Sequence, residues 1–279
     1  MDLTKVNQEA KAFHKLVETK KVKKGKGTLY TGVDLGTSSI VLSVVDEEGK
    51  FIAAAFEKAH AVRDGIVVDY VGAVEVTRRL KQDLEDRLGQ TLDLAGAAVV
   101  PGADKSTKEV VQNVLEGAGF TVGKIFEEPE AAAVILGIQD GAVVDIGGGT
   151  TGISLLKGGK VLASFDEATG GHHMNLVLAG AYHLDYEEAE SKKISEKKEI
   201  FPVIKPVAEK MATIVKDFLG DKEVDTLYLV GGATDFPEME ALFERVTGLE
   251  TQKPDYPIYI TPMGIALALL EAEDGRTDN

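Results

Sequence analysis

The chain has 279 residues, a formal net charge of −15, five histidines and no cysteine. Disulfides and thiolate metal sites are thereby excluded, no apolar run approaches the roughly 20 residues that cross a bilayer as a helix, and an acidic body argues against general nucleic-acid binding. The length suits two linked lobes better than one minimal domain.

The charge is uneven. Residues 1–30 carry eight lysines against three acids, a balance of +5, so the remainder carries −20. Charged and polar residues also occupy the stretch where a secretory h-region would stand, and the expected location is the cytoplasm. Within residues 3–17, Leu3, Val6, Ala10, Phe13 and Val17 recur at helical spacing. The lysine-rich segment from Lys20 to Lys26 then reads as a solvated linker. Helix and linker together are expected to be separable from the body. Three destinations are open for the helix: its own body, a groove on a partner, or a membrane surface, the last disfavoured by the small apolar face.

The body is expected to begin near Thr28, with strands at about 28–34, 39–46 and 51–57 and a helix at 72–88. A strand from Ala97 to Val100 and a helix from Ser106 to Ala118 follow, then a strand from Thr121 to Phe126. Glu128 should sit on a bend, with an alanine-rich helix starting at Pro129, because the residue before proline avoids the helical region and proline favours the first helical position. The second half repeats the plan: a hairpin over 142–157, a strand at 160–168, a break at Gly170–Gly171, helices at about 172–182, 186–195 and 200–219, and a strand from Thr226 to Val230. A helix from Pro237 and a last apolar helix, with Thr261 as N-cap and Pro262 at its first position, close the chain. The adjacent pair His172 and His173 reads as polar helix-start residues, since a zinc set needs three or four donors.

One internal duplication organises this order. Residues 33–50 read VDLGTSSIVLSVVDEEGK and residues 144–160 read VDIGGGTTGISLLKGGK, with Asp34 matching Asp145 across 111 positions. Each copy is a strand, an aspartate, a Gly/Thr/Ser bend and a second strand, which is the pattern of a β-hairpin. Two such bends facing each other offer backbone N–H groups for phosphate oxygens and two carboxylates for a hydrated Mg²⁺.

Five segments, in order, resemble the actin-like ATPase superfamily, which includes the heat-shock 70 chaperones, the bacterial actins and many sugar kinases. DLGTS from Asp34 resembles its first phosphate loop and DIGGGTT from Asp145 its second. EEPEAAA from Glu127 resembles the first connecting helix, LVGGATDFP from Leu229 the adenosine motif, and the helix from Thr261 with Gly264, Ile265 and Ala266 the second connecting helix. RDGIVVDY from Arg63 and VVPGA from Val99 resemble segments of rod-shape bacterial actins. The short first lobe, the basic N-terminal helix and GGHHMNLVLA from Gly170 are similar to a chaperone-like branch found in operons for microcompartments that degrade ethanolamine.

The resemblance implies an α/β fold of two actin-like (ribonuclease H-like) lobes with a nucleotide cleft between them. The N-terminal helix and linker would occupy 1–27, the first lobe 28–140 plus 262–279, and the second lobe 141–261, with a small helical subdomain at about 172–220. ATP or ADP with Mg²⁺ is the implied ligand. Asp34 and Asp145 would hold Mg²⁺ through its waters, while Gly36, Thr37, Ser38, Gly147, Gly148, Gly149 and Thr150 would contact the β- and γ-phosphates. Glu128 would orient the attacking water. Gly231, Gly232 and Ala233 would let the adenosine lie against backbone, with Glu190 and Lys193 at i, i+3 reaching it from the second lobe. Plainer roles exist for each: a turn-capping aspartate, a helix-start carboxylate, a solvated helix pair.

Departures from the family pattern are equally specific. The chain runs from Ala53 to Arg63 almost directly into RDGIVVDY, where chaperones and bacterial actins insert a subdomain. The phosphate-contacting lysine of the chaperones is lost with it, and Gly152 stands where they carry a second aspartate. Slow hydrolysis or binding alone is the expectation, and filament formation and a peptide-binding domain are not expected. The implied role is chaperone-like or regulatory, with a client or microcompartment component as partner, docked in one version through residues 1–24. A reactivating factor for a cobalamin-dependent ammonia-lyase, a small-molecule kinase and a non-hydrolysing scaffold are the alternatives.

Overall fold

Two five-stranded sheets of the same connectivity form the frame of the computed structural model, which describes residues 3–277. The expected limits at residues 1, 2, 278 and 279 lie outside the described residues. In chain order the first half runs α1 (Thr4–Thr19), β1 (Tyr30–Leu35), β2 (Ser39–Val45), β3 (Phe51–Lys58), β4 (Val62–Arg63), β5 (Ile66–Val67), α2 (Tyr70–Leu88), β6 (Leu94–Val99), α3 (Lys105–Gly117), β7 (Thr121–Glu127) and α4 (Glu128–Leu136). The second half runs β8 (Gly141–Ile146), β9 (Thr151–Lys157), β10 (Lys160–Glu167), α5 (Gly171–Tyr182), α6 (Tyr186–Ser195), α7 (Lys197–Leu219), β11 (Thr226–Val230), α8 (Met239–Thr247), β12 (Glu250–Gln252) and α9 (Ile260–Thr277). Short 3₁₀ turns occupy Gly232–Thr234 and Pro257–Tyr259.

The sheet orders are β3-β2-β1-β6-β7 and β10-β9-β8-β11-β12. In each, an antiparallel hairpin leads and parallel strands follow: β1 pairs with β2 and β6, and β8 with β9 and β11. The central strands are buried nearly throughout, which is why they read as continuous apolar runs rather than alternating ones. Asp69, Asp104 and Asp185 start α2, α3 and α6 by accepting from Gly72, Thr107 and Glu188 N–H groups.

The alanine-rich α4 crosses α9 at backbone distance. A Cβ on Gly264 would lie 2.1 Å from the Ala131 carbonyl oxygen, so only glycine admits this approach. Ala131, Ala132, Ile265 and Ala266 are fully buried along the same seam.

Several expectations are corrected. The N-terminal helix is not separable: Val6, Ala10, Phe13 and Leu16 are buried on its own body. The Phe13 ring packs edge-on to Phe51 at 5.5 Å and against Tyr259 at 5.4 Å, while His14 stacks on Tyr256 at 4.5 Å. The linker is pinned as well, through Lys23 N–H to the Ile52 carbonyl at 2.8 Å and Lys26 N–H to Asp46 at 3.2 Å. Helix α9 starts at Ile260, not after Thr261, because the 3₁₀ turn at Pro257–Tyr259 already leads the chain into it. Glu128 is the first residue of α4 rather than a bend residue, with Glu127 as the extended N-cap. The small hairpin β4–β5 and the edge strand β12 were not foreseen, being only two or three residues long per strand.

Candidate functional site

Asp34 and Asp145 occupy the same place in the two halves, the fifth of six residues in β1 and in β8. Both strands end at one cleft, a cavity of about 180 Å³, and ligands of open α/β sheets bind at such carboxyl ends. All fifteen residues expected at the site line it: Asp34, Gly36, Thr37, Ser38, Glu128, Asp145, Gly147, Gly148, Gly149, Thr150, Glu190, Lys193, Gly231, Gly232 and Ala233.

The two glycine-rich bends meet across the cleft. A Cβ on Gly148 would stand 2.5 Å from Ser38 Oγ, and one on Gly149 would stand 2.9 Å from Thr37 Oγ1. At these two positions a side chain would have to displace the hydroxyls of the facing bend. A Cβ on Gly147 meets nothing, so the protein itself does not demand glycine there. Gly231 combines a φ of +87° with a hypothetical Cβ 2.3 Å from Asp145 Oδ1, a conformation and a contact that exclude other side chains.

Asp145 is buried and accepts the Thr261 hydroxyl from α9. Burial raises its pKa to about 6. Asp34 is raised to about 7, by burial first and by the Asp145 charge second. Burial, reinforced by Asp145, Asp34 and Asp166, pushes Glu128 well above the usual carboxylate range. None of these acids forms an ion pair with lysine or arginine among the described residues. An oxygen-only, uncompensated donor set fits a hard divalent cation such as Mg²⁺. Among the described residues no three His, Cys, Asp or Glu side chains form a direct ligand cage, so the fit is to a cation that keeps its waters.

Also lining the cleft, Glu190 is buried on α6 and Lys193 follows one turn later. Burial lowers Lys193 to about 8, partly offset by Glu190. Its ammonium donates to the Gly171 carbonyl at 3.3 Å.

Five residues whose roles here were missed in the sequence are Thr261, Gly171, His172, Asp64 and Asp166. Thr261 was assigned to capping, yet its hydroxyl serves Asp145. Gly170 and Gly171 were read as a chain break, yet Gly171 and His172 donate N–H groups to the Gly147 and Gly148 carbonyls at 2.9 and 2.7 Å, fixing the second bend. Asp64, at φ +48° on the β4–β5 tip, places its backbone nitrogen 3.0 Å from a hypothetical Cβ on Gly149. Asp166 lies opposite Gly152 in the β9–β10 register. Asp64 and Thr261 stood inside segments already singled out, RDGIVVDY and the last helix, but their roles at the cleft, like that of Asp166, arise from tertiary approach.

Against known proteins, the family model described as type IV pilus assembly protein PilM matches residues 137–255. The chain is 45% identical over 239 residues to ethanolamine utilization protein EutJ of Salmonella typhimurium strain LT2, covering 85% of each chain. It is 42% identical over 248 residues to EutJ of Escherichia coli K12, covering 88% of each. A chaperone protein HscA homolog of Burkholderia mallei is 33% identical over 127 residues, 41% of this chain and 20% of that one. Among solved structures, EutJ from Carboxydothermus hydrogenoformans superimposes with a TM-score of 0.90 at 42% identity, covering 95% of this chain and 99% of that one. The PilM–PilN type IV pilus biogenesis complex (TM-score 0.73, 17% identity, 88% and 99% coverage) and MreB5 of Spiroplasma citri bound to ADP (0.72, 16%, 90% and 99%) share the fold. With a two-sheet α/β architecture whose equivalent strands end at one cleft, and identity sustained over most of its length, the chain belongs to the EutJ family of ethanolamine utilization proteins, which has the actin-like ATPase fold.

Proposed function

We propose that this protein binds ATP with Mg²⁺ in the cleft between its two sheets and acts as a nucleotide-dependent, chaperone-like factor in ethanolamine utilization. The observation that carries the reading is the meeting of two equivalent bends, each following an aspartate at the same position of a central strand. Backbone N–H groups and hydroxyls at Gly36–Ser38 and Gly147–Thr150 suit phosphate oxygens, as such nests do in general. Asp34 and Asp145 would hold the waters of Mg²⁺, and Thr261 orients Asp145. The cation, when bound, neutralises charge developing on the phosphates. Gly231, Gly232 and Ala233, with Glu190 and Lys193 opposite, form the adenosine end.

Glu128 is the candidate for positioning the attacking water, standing at the start of α4 among the other carboxylates. Hydrolysis is expected to be slow. Among the described residues lining the cavity, Lys193 is the one cation, and its ammonium is engaged by the Gly171 carbonyl. The short β4–β5 hairpin between β3 and α2 takes the place of the larger insertion and brings no lysine to the phosphates. The domain limits given above and the missing insertion belong to the same proposal.

A protein client or a microcompartment component is the expected partner, in the cytoplasm. Among the described residues of 1–24, the surface left for it is polar and includes the exposed lysines Lys11, Lys20, Lys21 and Lys24, because the apolar face of α1 is occupied. Steady-state ATP turnover with parallel binding measurements on Glu128→Gln tests the reading. Retained MgATP affinity with turnover reduced by roughly 10²-fold or more is expected. Wild-type turnover in the variant would remove Glu128 from the mechanism, and turnover that rises only with an added small hydroxylated substrate would favour a kinase.

A further inference from the structure

The β9–β10 pairing carries a fourth carboxylate to the back of the second glycine-rich bend, behind the residues that line the cavity. Asp166 is the cross-strand neighbour of Gly152 and stands beside the Thr150 hydroxyl, within electrostatic reach of Asp145 and Glu128. Its Oδ1 is buried and has no hydrogen-bond partner. Such an atom is costly to leave alone, and in native proteins it is met by a water or an ion. Among the described residues no lysine or arginine pairs with Asp166, and the charged groups that act on it most, Asp145, Glu167 and Asp64, are acidic, as is Glu128 on which it acts.

The neighbouring strand packs closely beside it. A Cβ on Gly152 would lie 3.6 Å from Asp166 Oδ1 and 3.0 Å from Pro101 Cδ. Glycine on β9 therefore lets Pro101 close over the strand beside Asp166, and a larger residue at 152 would press on Pro101. Thr150 belongs to the second bend, so Asp166 is tied through one hydroxyl to the loop that would contact phosphate.

We propose that Asp166 is a positioning residue of the cleft, holding a water of the hydrated cation that enters with the nucleotide and fixing the Thr150 hydroxyl beside it. This inference rests on the nucleotide reading of the cleft. Asp166 acts on the cation's outer waters, so its effect must depend on metal. Loss of one buried negative charge cannot, by itself, weaken the binding of an anionic nucleotide.

Calorimetric titration of the full chain with ATP in Mg²⁺, and with ATP in a chelator, separates the possibilities for wild type, Asp166→Asn and Asp166→Glu. In Asp166→Asn, MgATP affinity should fall by roughly 10–100-fold, the range for residues that orient metal ligands. Metal-free ATP affinity should be unchanged or tighter, and the melting temperature should not fall. Asp166→Glu should recover part of the MgATP affinity. Unchanged MgATP affinity in Asp166→Asn overturns the inference while leaving the nucleotide site standing. Equal weakening with and without Mg²⁺, accompanied by a lower melting temperature, assigns Asp166 a structural role and overturns it too. Absence of MgATP binding by the wild type overturns the reading of the cleft itself.

Discussion

At the residue scale, the carboxylates of the cleft are buried together with no lysine or arginine partner among the described residues, which sets a pH dependence. Asp34 and Asp145 have folded pKa values of about 7 and about 6, above an unfolded value near 3.9. The folded state therefore holds more protons than the unfolded chain between those limits, and stability falls as pH rises across the window. The ligand-free protein should melt at a higher temperature at about pH 5 than at about pH 7.5, and saturating Mg²⁺ with nucleotide should flatten that slope. A melting temperature that rises over the same interval without ligand would contradict the assignment of these groups as uncompensated. Asp34 and Asp145 were legible in the sequence because the duplication marks both at once. Thr261 and Asp166 were not, since Thr261 reaches Asp145 across 116 positions and Asp166 arrives through strand register. Periodicity along the chain carries no trace of either approach.

At the element scale, α1 shows what periodicity can and cannot give. The spacing of Val6, Ala10 and Phe13 specifies a helix and its apolar face, but not what the face meets. Here it meets Phe51 and Tyr259. Phe13 is fully buried, so Phe13→Ala should cost about 3–5 kcal/mol of unfolding free energy in urea. A loss below about 1 kcal/mol would mean that α1 is undocked in solution, since an exposed site carries no cavity penalty. The start of α9 was misplaced for a related reason. Thr-Pro is a good helix-start signal, but the turn at Pro257–Tyr259 accepts the Gly231 N–H at 3.0 Å and enters the helix earlier. A contact with the adenosine-side loop thus outweighed a local preference. Elements bounded by strong caps, such as α2 and α3 behind Asp69 and Asp104, fell within two residues of expectation.

On the scale of the whole molecule, the two halves repeat one strand order, and the repeat places two aspartates and two glycine-rich bends face to face. That much could be read from a repeat, five motifs and their sequence order. The crossing of α4 and α9 at Gly264 and the short β4–β5 connection arise from tertiary packing that no local pattern carries. Opening and closing of the two halves about α4 and α9 is the expected response to nucleotide. Calorimetric titration of ATP and ADP, with and without Mg²⁺, into the intact protein and into Asp145→Ala addresses the cleft most directly. Mg²⁺-dependent binding by the wild type, abolished by the substitution, is the expected result. No binding at millimolar nucleotide, or binding that Asp145→Ala leaves intact, would contradict a nucleotide site built on the paired aspartates.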